Sequence, residues 1–154
     1  KVGAKHSVKT DSLTQIPHSD AVDKRHMAEE EFSQWFARGK LFVSLSRAEG
    51  WGLFQHRALA TGVPLVTPCF GGLTDFVTPE NSYIIPHTEV FAEGYFALGL
   101  GKWSDVDLGV AEEVLRFALS DPGLEKKQKA AAASVAHFTK ERMRRELLAA
   151  LGLF

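Results

Sequence analysis

The sequence predicts an α/β fold in which a parallel sheet is flanked by helices. Three observations point to it. Short apolar strands alternate with helical patterns in the order strand, helix, strand, turn, strand between residues 41 and 85. Helical segments carry apolar stripes at i, i+3, i+4 spacing. A hydrophobic fraction of 45% is enough to build a core and argues against disorder. The 154 residues fit one domain, 1–154, of ordinary size.

The elements follow in order. Residues 1–27 are polar and weakly patterned, apart from a strand candidate at Leu13–Ile16 ended by Pro17. Ala28–Ala37 reads as a helix with Phe32, Trp35 and Phe36 on one stripe, and Gly39 fits its stop. Leu41–Ser46 is a buried strand, Gly52–Thr61 a helix, and Gly62 stands where a C-cap belongs. Pro64–Thr67 is the next strand. A turn at Gly71-Gly72 leads to a helical turn at Thr74–Val77 and to a strand at Ser82–Ile85. Residues 87–103 read as loop. Asp105 is the expected cap of a helix at Val106–Ser120, closed by Asp121-Pro122-Gly123. Leu124–His137 and Lys140–Leu151 are helices, the last capped by Thr139, with Met143, Leu147, Leu148 and Leu151 on one face. Four strands are fewer than the five or six of a doubly wound, Rossmann-like domain. The first strands are therefore missing or lie in the weak N-terminal segment, and a shortened sheet exposes an edge that a partner, such as a second copy, could cover.

Composition excludes several function classes. A net charge of −1, from 18 basic and 19 acidic residues, gives no electrostatic reason to expect nucleic acid. The single Cys69 excludes an internal disulfide and a cysteine-based zinc site, and the six histidines form no HxxxH or HExxH pair, so no metal and no cofactor are expected. No apolar run approaches the ~20 residues of a membrane span, and the start lacks a signal-peptide core. A cytoplasmic protein is the expectation; the chain begins without Met, as a processed or trimmed one would. Lys126, Lys127, Lys129, Lys140, Arg142, Arg144 and Arg145 make the C-terminal helices basic. Because Glu125, Glu141 and Glu146 are interspersed, a solvated face is favoured over binding to an anionic membrane. Asp105, Asp107, Glu112 and Glu113 read as first-turn helix acids.

The stretch Ser46–Gly72 carries the chemistry. It leaves the carboxyl end of a strand, where ligands of open α/β sheets sit, and turns through Gly50-Trp51-Gly52 into a helix. A helix N-terminus offers backbone N–H groups and a positive dipole end to anionic or hydroxyl-rich ligands. Glycines on both sides of Trp51 allow close approach, and Glu49 supplies an acceptor for sugar hydroxyls or a charge to balance a cation. A plain tight turn with Trp51 as a packing residue is the alternative. Cys69 reads as a buried or half-buried thiol and not a nucleophile, since no histidine partner can be assigned to it.

Glu49-Gly50-Trp51-Gly52-Leu53, followed by Ala58-Leu59-Ala60-Thr61-Gly62-Val63-Pro64-Leu65-Val66, resembles the EGxGL…EAxAxGxPVV signature of retaining glycosyltransferases of the two-domain GT-B fold, family 4 type. Gly71-Gly72, Asp75-Phe76 and Pro79-Glu80-Asn81-Ser82-Tyr83 continue the likeness, and Gly101-Lys102-Trp103 and Asp121-Pro122 extend it more loosely. The resemblance covers residues 26–146 and implies the C-terminal, donor-binding domain of such an enzyme. It implies that the amides of Gly50, Trp51, Gly52 and Leu53, with Ser46, Gly71 and Gly72 nearby, contact the sugar and phosphate of a nucleotide-diphosphate sugar, the substrate. Glu49, the first glutamate of the EX7E motif, would sit by the donor sugar as the candidate catalytic residue.

This chain departs from the pattern at one chemically important place. Eight positions after Glu49 stands Arg57, where the second glutamate would accept hydrogen bonds from the ribose diol. A guanidinium only donates, so Arg57 cannot copy that clamp, at a cost of about 1.5–3 kcal/mol per lost bond. Arg57 pairs with Glu49 and leaves an inactive relic, or holds a diphosphate through its planar fork, or is an exposed helix arginine. Phe54 replaces a frequent proline. The family's upstream diphosphate-binding Arg and Lys have no match in the 48 residues before Glu49, and the acceptor-binding N-terminal domain is absent from this chain. The expected function is donor binding for retaining glycosyl transfer, with a non-catalytic relic or interaction module of the same fold as the alternative. The chain alone, without a separate acceptor-binding domain, is expected not to transfer sugar.

Overall fold

The computed structural model describes residues 7–8, 21–22, 28–93 and 101–153. The chain divides into two compact units, Lys1–Phe32 and Ser33–Phe154. In the first, β1 (Ser7–Val8) pairs parallel with β2 (Ala21–Val22). The strand expected at Leu13–Ile16 lies outside the described residues. Helix α1 (Glu29–Ala37) begins in the first unit and runs into the second.

The second unit is α/β. Its sheet has the order β3 (Phe42–Val43), β4 (Leu65–Thr67), β5 (Ser82–Ile84), all parallel, with Phe42 opposite Leu65 and Val66 opposite Tyr83. Helix α2 (Leu53–Ala60) makes the crossover from β3 to β4. Successive strand residues point to opposite faces, so the complete burial of Leu65, Val66 and Thr67 requires cover on both sides of β4. One side is α3 (Leu108–Ser120), whose Ala111 and Ala118 pack with Val66, Tyr83 and Ile85. On the other, α2 packs on β4 and on α4 (Leu124–Val135). This layout, a small parallel sheet flanked by helices, is compatible with a Rossmann-like fold.

Buried polar groups tie β5 to the helices. Asn81 is fully buried and uses its whole amide. Its Nδ2 donates to Phe76 O at 2.7 Å and to Ser134 Oγ of α4 at 2.9 Å, while Oδ1 accepts from Thr78 N at 2.9 Å and Ser82 Oγ at 2.8 Å. Tyr83 donates its hydroxyl to Asp121 at 2.8 Å, and Asp121 also accepts from Gly123 N. The Gly123 amide, then the Tyr83 hydroxyl, hold the Asp121 carboxyl below its usual range, and burial, then Asp121, push the Tyr83 hydroxyl up.

Five expectations are corrected. The strand expected to be buried at Leu41–Ser46 is only Phe42–Val43, and Val43 and Leu45 are 46% and 41% exposed. Glu112 and Glu113 are not first-turn acids, because α3 starts at Leu108 and has no acidic residue in its first turn. Residues 87–103 do not form a plain loop: β6 (Thr88–Phe91) and β7 (Lys102–Asp105) form an antiparallel pair with Val90 opposite Trp103. Most of their side chains are exposed, so the apolar alternation that would mark them is weak. With Asp105 inside β7, the cap of α3 is Asp107, whose side chain accepts from Val110 N at 3.0 Å. The helical turn expected at Thr74–Val77 is a 3-10 turn at Gly71–Asp75, closed by Thr74 Oγ1 donating to Gly71 O at 2.8 Å. The last helix, α5 (Lys140–Ala150), has the expected Thr139 cap, which accepts from Arg142 N at 3.1 Å, yet buries none of its residues. No described helix is long and apolar enough to cross a membrane.

Candidate functional site

Strands β3 and β4 end side by side, and the chain leaves each carboxyl end through a glycine-bearing loop. After β3, Ser44 N still bonds Val66 O at 3.0 Å; the chain then turns through Glu49, Gly50 and Trp51 to Gly52. Gly52 is the N-cap of α2 at φ 85°, a left-handed conformation that a side chain would strain. As a glycine it provides no side-chain cap. The amides of the first turn, beginning with Leu53, have no intrahelical acceptor and lie at the positive end of the helix dipole. Above Gly50 there is open space: a Cβ added there would meet nothing within 4 Å.

Beneath the turn the packing is backbone to backbone. Gly72 N donates to Glu49 O at 2.9 Å. A Cβ on Gly72 would stand 2.2 Å from Gly50 O, and one on Gly71 2.7 Å from Glu49 O. Leu73, buried, fills the space under Gly52. The four glycines are thus two pairs, and each loop fixes the other. Trp51 is a packing residue: its ring lies 5.3 Å from that of Phe76, 5.2 Å from Phe138 and 5.8 Å from His56.

Glu49 is oriented by a residue that the sequence reading passed over. Gln55, 3% exposed in the first turn of α2, donates from Nε2 to Glu49 Oε1 at 3.2 Å and to Ser44 Oγ at 3.0 Å. Both amide protons are spent, so the carboxylate is tethered to α2 and to the end of β3 at once. The signal was a polar residue on the sheet-facing side of a helix, and it marks a tertiary contact that no local pattern predicts.

His56 was also missed. Its ring meets Trp51, Phe76 and Phe138, and its buried Nε2 has no hydrogen-bond partner among the described residues. Burial, and then the charge of His137, hold it below the usual histidine range, so the neutral ring is the favoured form.

The other predicted residues are placed as follows. Ser46 spends its hydroxyl on Ala48 O at 3.2 Å. Its neighbour Arg47 bonds Asp105 at 3.2 Å and lies over the Trp103 ring at 4.6 Å. Buried Ser104 of β7 donates from N to Arg47 O at 2.8 Å and from its hydroxyl to the carbonyls of Arg47 and Ser46. The β6–β7 pair therefore straps down the loop that leads to Glu49. Arg57 is half-buried, four residues after Leu53 and so on the same side of α2. Cys69 is half-buried, donates to Val77 O at 3.7 Å, and is pushed up by burial, which makes it a poor nucleophile. Two surface depressions lie away from the turn, one lined by Tyr83, Glu113 and Phe117, the other by Lys140, Glu141, Arg144, Arg145 and Leu148.

No protein-family model matches this chain, and no curated protein matches it.

Proposed function

We propose that the chain is the donor-binding part of a retaining glycosyltransferase of the GT-B type, and that it takes a nucleotide-diphosphate sugar at the turn Glu49–Leu53. The observation that carries the reading is the junction at Gly52. A helix starts at the carboxyl end of a parallel strand with no side-chain cap, its outer side open at Gly50, and a tethered carboxylate beside it. Amides of the first turn would donate to the diphosphate, and the free oxygen of Glu49 would accept from sugar hydroxyls. Transfer would then rest on positioning and on stabilising the leaving diphosphate. The motif resemblance from Glu49 to Tyr83 supports the same assignment.

A second reading, a binding module of this fold that transfers no sugar, is favoured by Arg57. Isothermal titration with UDP-, GDP- and ADP-sugars tests both. Micromolar binding of one donor class, weakened at least tenfold in Glu49→Ala, is the result expected of a donor site. Millimolar or absent binding by the natural chain, with affinity gained in Arg57→Glu, would mark a relic whose pocket survives. No binding by either would refute the donor site.

A further inference from the structure

We propose that α5 is a peripheral membrane anchor that lies on an anionic lipid surface. Met143, Leu147 and the C-cap residue Leu151 form one apolar strip along the helix. Met143, Leu147 and Leu151 recur every four residues and are 65%, 57% and 62% exposed, and Leu153 follows at the end of the helix. The helix buries none of its residues, so this strip is not held by the fold. Exposed apolar side chains scattered singly need no explanation, whereas a continuous strip marks a surface that meets something.

Charge says what it meets. The sequence pattern favoured a solvated face because acids alternate with bases along the C-terminal helices. The structure pairs two of those acids with bases of their own helix: Glu125 with Lys129 at 2.8 Å, and Glu146 with Arg142 at 2.6 Å. Lys140, Arg144 and Arg145 are left without an ion pair among the described residues, and with Glu141 and Leu148 they line one depression on the helix. Lys140 and Arg144 stand four residues apart, as do Arg144 and Leu148, so cations border the apolar strip. Their long arms can lie along apolar surface and reach a headgroup layer with the charge. A helix with an apolar face, flanking cations and low net hydrophobicity lies in the interface without crossing it. A protein partner would need acidic groups opposite these cations; a bilayer of anionic lipid supplies both halves of the match.

Sedimentation with vesicles tests the proposal on the whole chain. Vesicles of phosphatidylcholine with about one third phosphatidylglycerol should carry the protein down, and pure phosphatidylcholine should not. Each basic residue near an anionic leaflet contributes roughly fivefold to partitioning, so Arg144→Gln with Arg145→Gln should lower it about twenty-five-fold. Leu147→Asp should abolish it, while circular dichroism shows the fold unchanged, since the position is exposed. Equal sedimentation with both vesicle types, or binding unaffected by these variants, would overturn the proposal. So would light scattering that shows a dimer dispersed by Leu147→Asp in a protein that ignores vesicles, because the strip would then belong to a second copy.

Discussion

Replacing Gly72 with alanine tests whether the two glycine loops brace one another. The added Cβ would stand 2.2 Å from Gly50 O, 2.7 Å from Gly50 C and 2.8 Å from Trp51 Cα, all backbone atoms. The loops must part by about 1 Å to restore ordinary C···O contact. Overpacking of this kind costs ~1–3 kcal/mol, and the Gly72–Glu49 hydrogen bond, stretched or lost, adds about 1 kcal/mol. The total is about 2–4 kcal/mol, a shift of roughly 1–2 M in the urea midpoint. Gly50→Ala is the matched control. It adds the same methyl to the facing loop, where nothing lies within 4 Å, and should change stability by less than about 0.5 kcal/mol. If Gly72→Ala is as mild as Gly50→Ala, the backbone contact does not hold the loops. The control reads function too: its methyl enters the open space above the turn, so it should weaken donor binding while stability stays unchanged.

Other predictions follow from the same geometry. Asn81→Ala deprives four buried or partly buried groups of a partner and should cost about 3–5 kcal/mol in urea unfolding; Asn81→Asp should also destabilise, because a carboxylate cannot donate to Phe76 O. Tyr83→Phe should cost about 1–2 kcal/mol, measured the same way, through the lost bond to Asp121. His56 is neutral in the fold and below its usual range, so the unfolded chain binds the extra proton. Stability should therefore fall as pH drops below about 6.5 and level off beneath the folded value; His56→Leu should flatten this part of a urea-midpoint profile from pH 7.5 to 5. Gln55→Ala should unpin Glu49 and lower affinity for a bound donor sugar, seen by titration calorimetry, whereas Gln55→Glu should lower it further by setting two carboxylates together.

Much of the second unit was legible in the sequence. Apolar stripes and glycine punctuation locate α1, α2 and α4, and the runs Pro64–Thr67 and Ser82–Ile85 locate β4 and β5, because burial dictates those residues locally. What escaped depends on distant partners. The β6–β7 pair has mostly exposed side chains and draws its order from backbone pairing with a partner strand. The cap of α3 shifts from Asp105 to Asp107 because the strand claims the first aspartate. For the candidate site, the bend and its glycines were readable, yet the contact that explains Gly71 and Gly72 comes from the other loop. Gln55 and His56 face inward from α2, where their polar atoms contradict the usual pattern of a buried helix face, and Trp51 serves packing.

The strap from Ser104 to the carbonyls of Ser46 and Arg47 has a consequence for how the protein is made. The two ends are 57 and 58 residues apart in the chain. During synthesis the bend after β3 leaves the ribosome well before the strand that fastens it. At about 5–20 residues per second that interval lasts several seconds, through which two peptide oxygens must rely on water for their bonds. The bend thus acquires its final shape late, as a product of the downstream chain, and a nascent polypeptide halted before residue 104 would carry it unfinished.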